Sequence, residues 1–186
     1  MKKIYIAGPE VFLPNAIEIG NIKKDLCKKY GFIGLFPFDN EIKSDNLKPA
    51  DIGLLIGKAN ENLINESDYV IANITPFRSP SADVGTVYEI GYAKGLRKVI
   101  YAYSNSTFLF TKRVKSFMNL NEGKRDNNDM LVESFGLIDN LMIDNGILSS
   151  GGRIILIPHV KEKEIFSYME GFELCLQSIK NNKNLK

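Results

Sequence analysis

Four short runs in this chain, at residues 3–7, 68–74, 98–103 and 153–157, are apolar at most positions rather than at every second one. A strand with one wet face alternates polar and apolar residues. Runs such as Ile4-Tyr5-Ile6-Ala7 and Val70-Ile71-Ala72 are therefore buried on both faces, as in a parallel sheet covered by helices. A fifth run, Phe32-Ile33-Gly34-Leu35-Phe36, is closed by Pro37 and the polar turn Asp39-Asn40. Between the runs the apolar period changes to that of a helix. Residues 15–30 carry Ile17, Ile22 and Leu26, residues 51–66 carry Ile52, Leu55, Ile56, Leu63 and Ile64, and Val84, Val87, Ile90, Ala93 and Leu96 mark a third helical face. A closing helix is expected over 162–179. This alternation predicts an α/β, flavodoxin-like, doubly wound fold: five parallel strands in the order 2-1-3-4-5, in a single domain over 1–186. Residues 104–135 are the exception to compactness. They are polar, rich in Asn and Lys and long for a connection, so they form either a lid or an ordered excursion toward a partner subunit.

With 186 residues, 44% of them hydrophobic, the chain can bury one proper core. Its net charge of +2 is spread along the sequence and gives no case for binding a nucleic acid polymer. The basic tail at 180–186 reads as a frayed, solvated end. Cys27 and Cys175 stand far apart, without CxxC spacing, as expected of reduced thiols in a cytoplasmic protein. No apolar run is long enough for a signal peptide or membrane span. His159 is the only histidine, which argues against a zinc site and against histidine-based acid–base chemistry, and no metal is expected. Neither GxGxxG nor GxxxxGK[ST] is present, which excludes a Rossmann dinucleotide site and a P-loop, so no cofactor is expected.

In a sheet wound this way, ligands bind at the carboxyl ends of the strands where the winding reverses, between strands one and three. The loops there are Gly8-Pro9-Glu10-Val11-Phe12 and residues 75–83. The second runs into Ser81-Ala82-Asp83-Val84-Gly85-Thr86-Val87-Tyr88-Glu89, with Asp83 placed to cap the helix and Glu89 in its second turn. An Asp before a helix is most often a cap, and a Glu within one is most often a solvated surface residue. Here Gly85 and Ala93, four residues to either side of Glu89, are too small to cover it, so its carboxylate can meet a ligand.

Taken together, Ile4-Tyr5-Ile6-Ala7-Gly8-Pro9-Glu10-Val11-Phe12, Phe36-Pro37-Phe38-Asp39-Asn40, Pro76-Phe77-Arg78, the block from Asp83 to Gly91 and Asn140-Leu141-Met142 resemble the nucleoside 2-deoxyribosyltransferase family. The likeness is greatest to its purine-preferring branch. It runs over about 3–103 and resumes over about 126–142. The resemblance implies an enzyme that moves 2-deoxyribose between nucleobases with retention, acting on a deoxynucleoside and a free base. Glu89 matches the nucleophile that traps C1′, and Tyr5 the tyrosine that orients it. Asp83 matches the acid that binds the sugar hydroxyls, Phe12 offers a ring face to the base, and Gly8 and Asp39 complete the substrate loops. Asn140 matches an asparagine that reaches the 5′-hydroxyl from a neighbouring subunit, which implies a homo-oligomer. Asn60 stands where the family has the acid that protonates the leaving base. An amide cannot relay a proton, so Asp39, Glu10, Asp83 or solvent takes that role. The tail does not match the family's late site residues. Two other readings share the fold: a deoxynucleoside 5′-monophosphate N-glycosidase, which uses water as acceptor, and a non-catalytic nucleotide-binding module.

Overall fold

The structure is a computed structural model that describes residues 1–39, 47–120 and 123–182. Asn40 of the second turn and residues 183–186 of the basic tail lie outside the described residues. Strands β1 (Lys3–Ala7), β2 (Ile33–Leu35), β3 (Tyr69–Asn73), β4 (Val99–Ser104) and β5 (Ile154–Leu156) form one sheet in the order β2-β1-β3-β4-β5, every pair parallel. Helices α1 (Ala16–Tyr30), α2 (Pro49–Glu66), α3 (Val84–Gly95), α4 (Phe110–Phe117), α5 (Leu141–Leu148) and α6 (Glu170–Asn181) complete it. No helix among the described residues is long and apolar enough to cross a membrane.

The period-two alternation of strands divides the core in two. Tyr5, Ala7, Val70, Ala72, Ile100 and Ala102 face Ile64 of α2, Ile90 and Ala93 of α3, and Ile143 and Ile147 of α5. Ile4, Ile6, Ile71, Tyr101 and Tyr103 face Cys27 of α1 and Phe172, Cys175, Leu176 and Ile179 of α6. Both cysteines are buried free thiols, and burial pushes the Cys27 thiol up to about 12.

Two expectations need correction. The last helix starts at Glu170, not 162. Asn105 Nδ2 donates to the carbonyls of Ile165 at 2.7 Å and Tyr168 at 3.3 Å, claiming backbone acceptors that a helix through this segment would need for itself. Ile17 and Ile22 are 67% and 39% exposed, because α1 buries the line Ile19, Lys23 and Cys27 instead. Leu141-Met142-Ile143, to which the sequence alone assigned no element, begins a helix, α5, whose Ile143 and Ile147 cover the sheet. Within 104–135, α4 is anchored by the buried Arg113, whose Nη2 donates to the Ile138 carbonyl and, at 3.3 Å, to Asp139 Oδ2.

Candidate active site

The winding reverses between β1 and β3, and a cleft of about 520 Å³ opens there. Phe12, Phe38 and Ile56 line its apolar end, while Asp83, Glu89 and Asn60 supply its polar groups over Gly8 and Gly85. A second hollow of about 570 Å³ lies between α2 and α3 and shares Asn60, Gly85 and Glu89 with the first. Glu89 thus stands at the junction of two hollows.

The placement of Glu89 follows from local rules. Thr86, Ile90 and Ala93 are the stripe of α3 turned to the sheet, and Glu89 sits at its edge. Asp83 starts the helix as its N-cap, with Oδ2 accepting from the Thr86 N–H at 2.9 Å and from Thr86 Oγ1 at 3.2 Å. Its other oxygen, Oδ1, accepts no hydrogen bond among the described residues, so the cap leaves one acceptor for a ligand. From β1, the wholly buried Tyr5 donates its hydroxyl to Glu89 Oε1 at 2.5 Å.

Burial is the largest influence on Glu89 and raises its carboxyl to about 7. Nearby Asp83 and Glu10 push the same way, and the Tyr5 hydrogen bond opposes them. Burial and the neighbouring carboxylate hold the Tyr5 hydroxyl far above the ordinary phenol range, so it stays a donor. A reaction that needs Glu89 ionised should show kcat/KM rising with pH through about 7. In Tyr5→Phe the carboxylate loses the one bond that favours its charged form, and that acidic limb should move to higher pH. A pH–rate profile whose limb stays in place or moves down would show that Tyr5 does not stabilise the ionised carboxylate.

Glu10 is not open to a ligand. It is 1% exposed, and its Oε1 accepts from Lys23 Nζ, from Asn73 Nδ2 at 2.8 Å and from Tyr103 OH at 2.9 Å. Oε2 has no partner among the described residues and lies 2.0 Å from where a Cβ on Gly8 would stand, which favours glycine at this position. Asp39 is also committed elsewhere, to Lys24 at 2.5 Å and to the Phe36 N–H at 2.8 Å, and it does not line the cleft. Of the three acids expected near the leaving base, only Asp83 faces it. Asn60 does line the cleft, and its Oδ1 is buried without a partner among the described residues.

Phe12 is 54% exposed, so it is not core packing. It stacks on Phe77, with centroids 5.3 Å apart and planes at 10°, and the Arg78 guanidinium lies 5.0 Å and 4.6 Å from the two ring centres. Asn140 is not in this cleft. It caps α5, accepting from the Met142 N–H at 3.0 Å and donating to Glu133 Oε1 at 2.5 Å, and it borders a separate groove of about 690 Å³ between α3 and α5.

Reading the sequence alone missed Phe38 as part of the cleft and Lys23 as the buried partner of Glu10 behind it. Lys23 had a signal, since it falls on one helical line with Ile19 and Cys27, where a charge is out of place unless paired. Among the described residues, no group of three His, Cys, Asp or Glu could hold a metal ion.

A glutamate whose carboxyl is raised by burial, set at the switch point of a doubly wound sheet beside a cleft of small-ligand size, is a site at which a carboxylate can meet a small ligand. The chain belongs to the nucleoside 2-deoxyribosyltransferase family, whose sequence profile matches residues 4–142. A 2-deoxyribosyltransferase from Leishmania mexicana is 28% identical in sequence and superposes with a TM-score of 0.65, over 98% of this chain and 99% of that one. An uncharacterized protein of Schizosaccharomyces pombe is 28% identical over 192 residues, spanning 95% of this chain and 87% of that protein. A conserved protein of Enterococcus faecalis shares the fold at 18% identity, with a TM-score of 0.57 over 96% of this chain and 99% of the other.

Proposed function

We propose that the protein transfers 2-deoxyribose between nucleobases, purines for preference, with retention through a deoxyribosyl ester on Glu89. The Tyr5–Glu89 contact at the junction of the two hollows carries this reading. One Glu89 oxygen attacks C1′ as the bond to the leaving base breaks, and the bond's electron pair stays on the base nitrogen. That nitrogen is protonated through Asp83 or solvent, since the amide of Asn60 has no proton to relay. The incoming base then attacks C1′ from the face the first base left, loses its proton and frees the carboxylate. Two inversions give net retention. Asp83 Oδ1 accepts from a sugar hydroxyl, and Phe12 lies along the base.

Incubation with deoxyadenosine and hypoxanthine tests the function. Deoxyinosine should form, and thymidine should be a poor donor. Deoxyribose released without base exchange would make the protein an N-glycosidase, and efficient transfer from thymidine would remove the purine preference.

The same reading makes the active form a homo-oligomer in which Asn140 completes a neighbour's site. Three features support it: Asn140 lies outside the cleft of its own chain, its amide retains one N–H and one lone pair, and Leu54, Val84, Tyr88 and Met142 form apolar surface at 76%, 84%, 58% and 66% exposure. Asn140→Ala should lower kcat/KM roughly ten- to a hundredfold, about 1.5–3 kcal/mol for one sugar hydrogen bond that tightens in the transition state. Glu89→Ala and Asn140→Ala proteins, unfolded together and reassembled, should partly rescue one another. Activity no greater than the sum of the parents would confine Asn140 to its own subunit.

A further inference from the structure

Behind the loop that delivers Asp83 lies a buried carboxylate that the chemistry above does not use. Asp139 is 0% exposed. Its Oδ1 accepts from Ser81 Oγ at 2.5 Å and from the Asn140 N–H at 2.8 Å. Its Oδ2 accepts from the Ala82 N–H at 3.0 Å and from Arg113 Nη2 at 3.3 Å. The backbone on either side of the carboxylate is pinned as well. The N–H groups of Ile138 and Asp139 donate to the two oxygens of the buried Asp144, at 2.9 Å and 3.0 Å.

Two features make this more than a way of closing a loop. Ser81 and Ala82 lead directly into Asp83, so the carboxylate sets the backbone from which that acid enters the cleft. The same oxygen that takes Ser81 also takes the N–H of Asn140, so both residues read above as sugar ligands hang from one group. The arrangement is also expensive. Arg113 is carried to Asp139 on α4 with its Nε and Nη1 buried and without partners among the described residues, and a buried charge so incompletely met is weak support for stability.

We propose that Asp139 is a positioning residue that fixes Asp83 of its own site and Asn140 of the neighbour's site in one rigid frame, coupling sugar recognition in adjacent subunits. The proposal rests on the reading of Asp83 and Asn140 as sugar ligands. A disturbance at the Asn140 end reaches Asp83 through a single carboxylate, so the two should not behave as independent contacts. The buried anchor also gives the 104–135 excursion a function: its α4 brings the Arg113 guanidinium to the carboxylate and helps to hold it in place.

The test is a set of double-mutant cycles on deoxyadenosine–hypoxanthine exchange, with melting curves and oligomer size measured for each variant. Asp139→Asn removes the charge and one acceptor. It should lower kcat and kcat/KM together, about ten- to a hundredfold, as expected for loss of alignment in the transition state. Combined with Asp83→Ala or with Asn140→Ala, it should cost clearly less than the product of the separate losses. With 2′,5′-dideoxyadenosine as donor, which has no 5′-hydroxyl for Asn140, its penalty should shrink several-fold. Ser81→Ala removes one bond and no charge, so it reports even if Asp139→Asn fails to fold. It should cost about three- to tenfold, with the same non-additivity. Independent, fully multiplicative losses, or a penalty unchanged on the 5′-deoxy donor, would overturn the coupling while leaving the transfer reaction standing. Full activity in both Asp83→Ala and Asn140→Ala would instead remove the sugar-ligand reading and the proposal with it.

Discussion

Glu89→Ala should reduce base exchange by at least about 10⁴-fold, a loss of the size seen when a covalent nucleophile is removed. No neighbour can replace it. Glu10 is sealed behind Gly8 and bound to Lys23, Asp39 is held by Lys24, and Asp83 stands at the N-cap of the helix that carries Glu89 a turn and a half further on. Folding should not suffer to match. The Glu89 carboxyl is raised to about 7 mainly by burial, which means that the fold works against its charge, and removing it should leave the melting temperature unchanged or higher. A 2-fluoro sugar analogue, which slows breakdown of the intermediate, should leave wild-type protein with a covalent adduct on Glu89. An adduct on another carboxylate would overturn the assignment.

The largest effect on stability is expected at Lys23. This lysine is 0% exposed and paired with Glu10, itself 1% exposed. Its ammonium also donates to Tyr103 OH at 3.0 Å and lies 5.0 Å from the Phe172 ring centre. Lys23→Met preserves much of the volume but leaves the Glu10 charge in the interior without its cation. Breaking a buried pair from one side costs about 3–5 kcal/mol, which for a domain of this size is a fall in Tm of roughly 6–20 °C. Adding Glu10→Gln should recover much of the loss, because the remaining amide is cheaper to bury than an unpaired carboxylate. Chemical denaturation decides the point. A cost below about 1 kcal/mol for Lys23→Met would mean that the buried pair does not hold the fold together.

What the sequence determined by itself was set by neighbours in the chain. Apolar runs buried on both faces dictated parallel strands, and a short polar residue before an apolar helical face dictated the Asp83 cap and the start of α3. The strand order followed from the alternation, because right-handed crossovers leave few ways to cover both faces of such a sheet. Asp83 and Glu89 could be picked out because they lie where the loop after strand three enters a helix beside the switch point, whereas Tyr5, Gly8 and Phe12 were named through the family resemblance. The tertiary structure decided whatever depended on partners distant in sequence. Asp39 and Glu10 carry the same functional group as Asp83, yet Lys24 and Lys23 claim them, and only the packed helix α1 reveals that. The start of α6 turned on Asn105, some 60 residues away, and the line of α1 that is buried turned on a charge that could be paired inside. Asp139 meets Ser81 and Ala82 across 58 and 57 residues. A carboxylate in a sequence is read as solvated because desolvation is costly, and the donors that offset that cost come together only when the chain has folded.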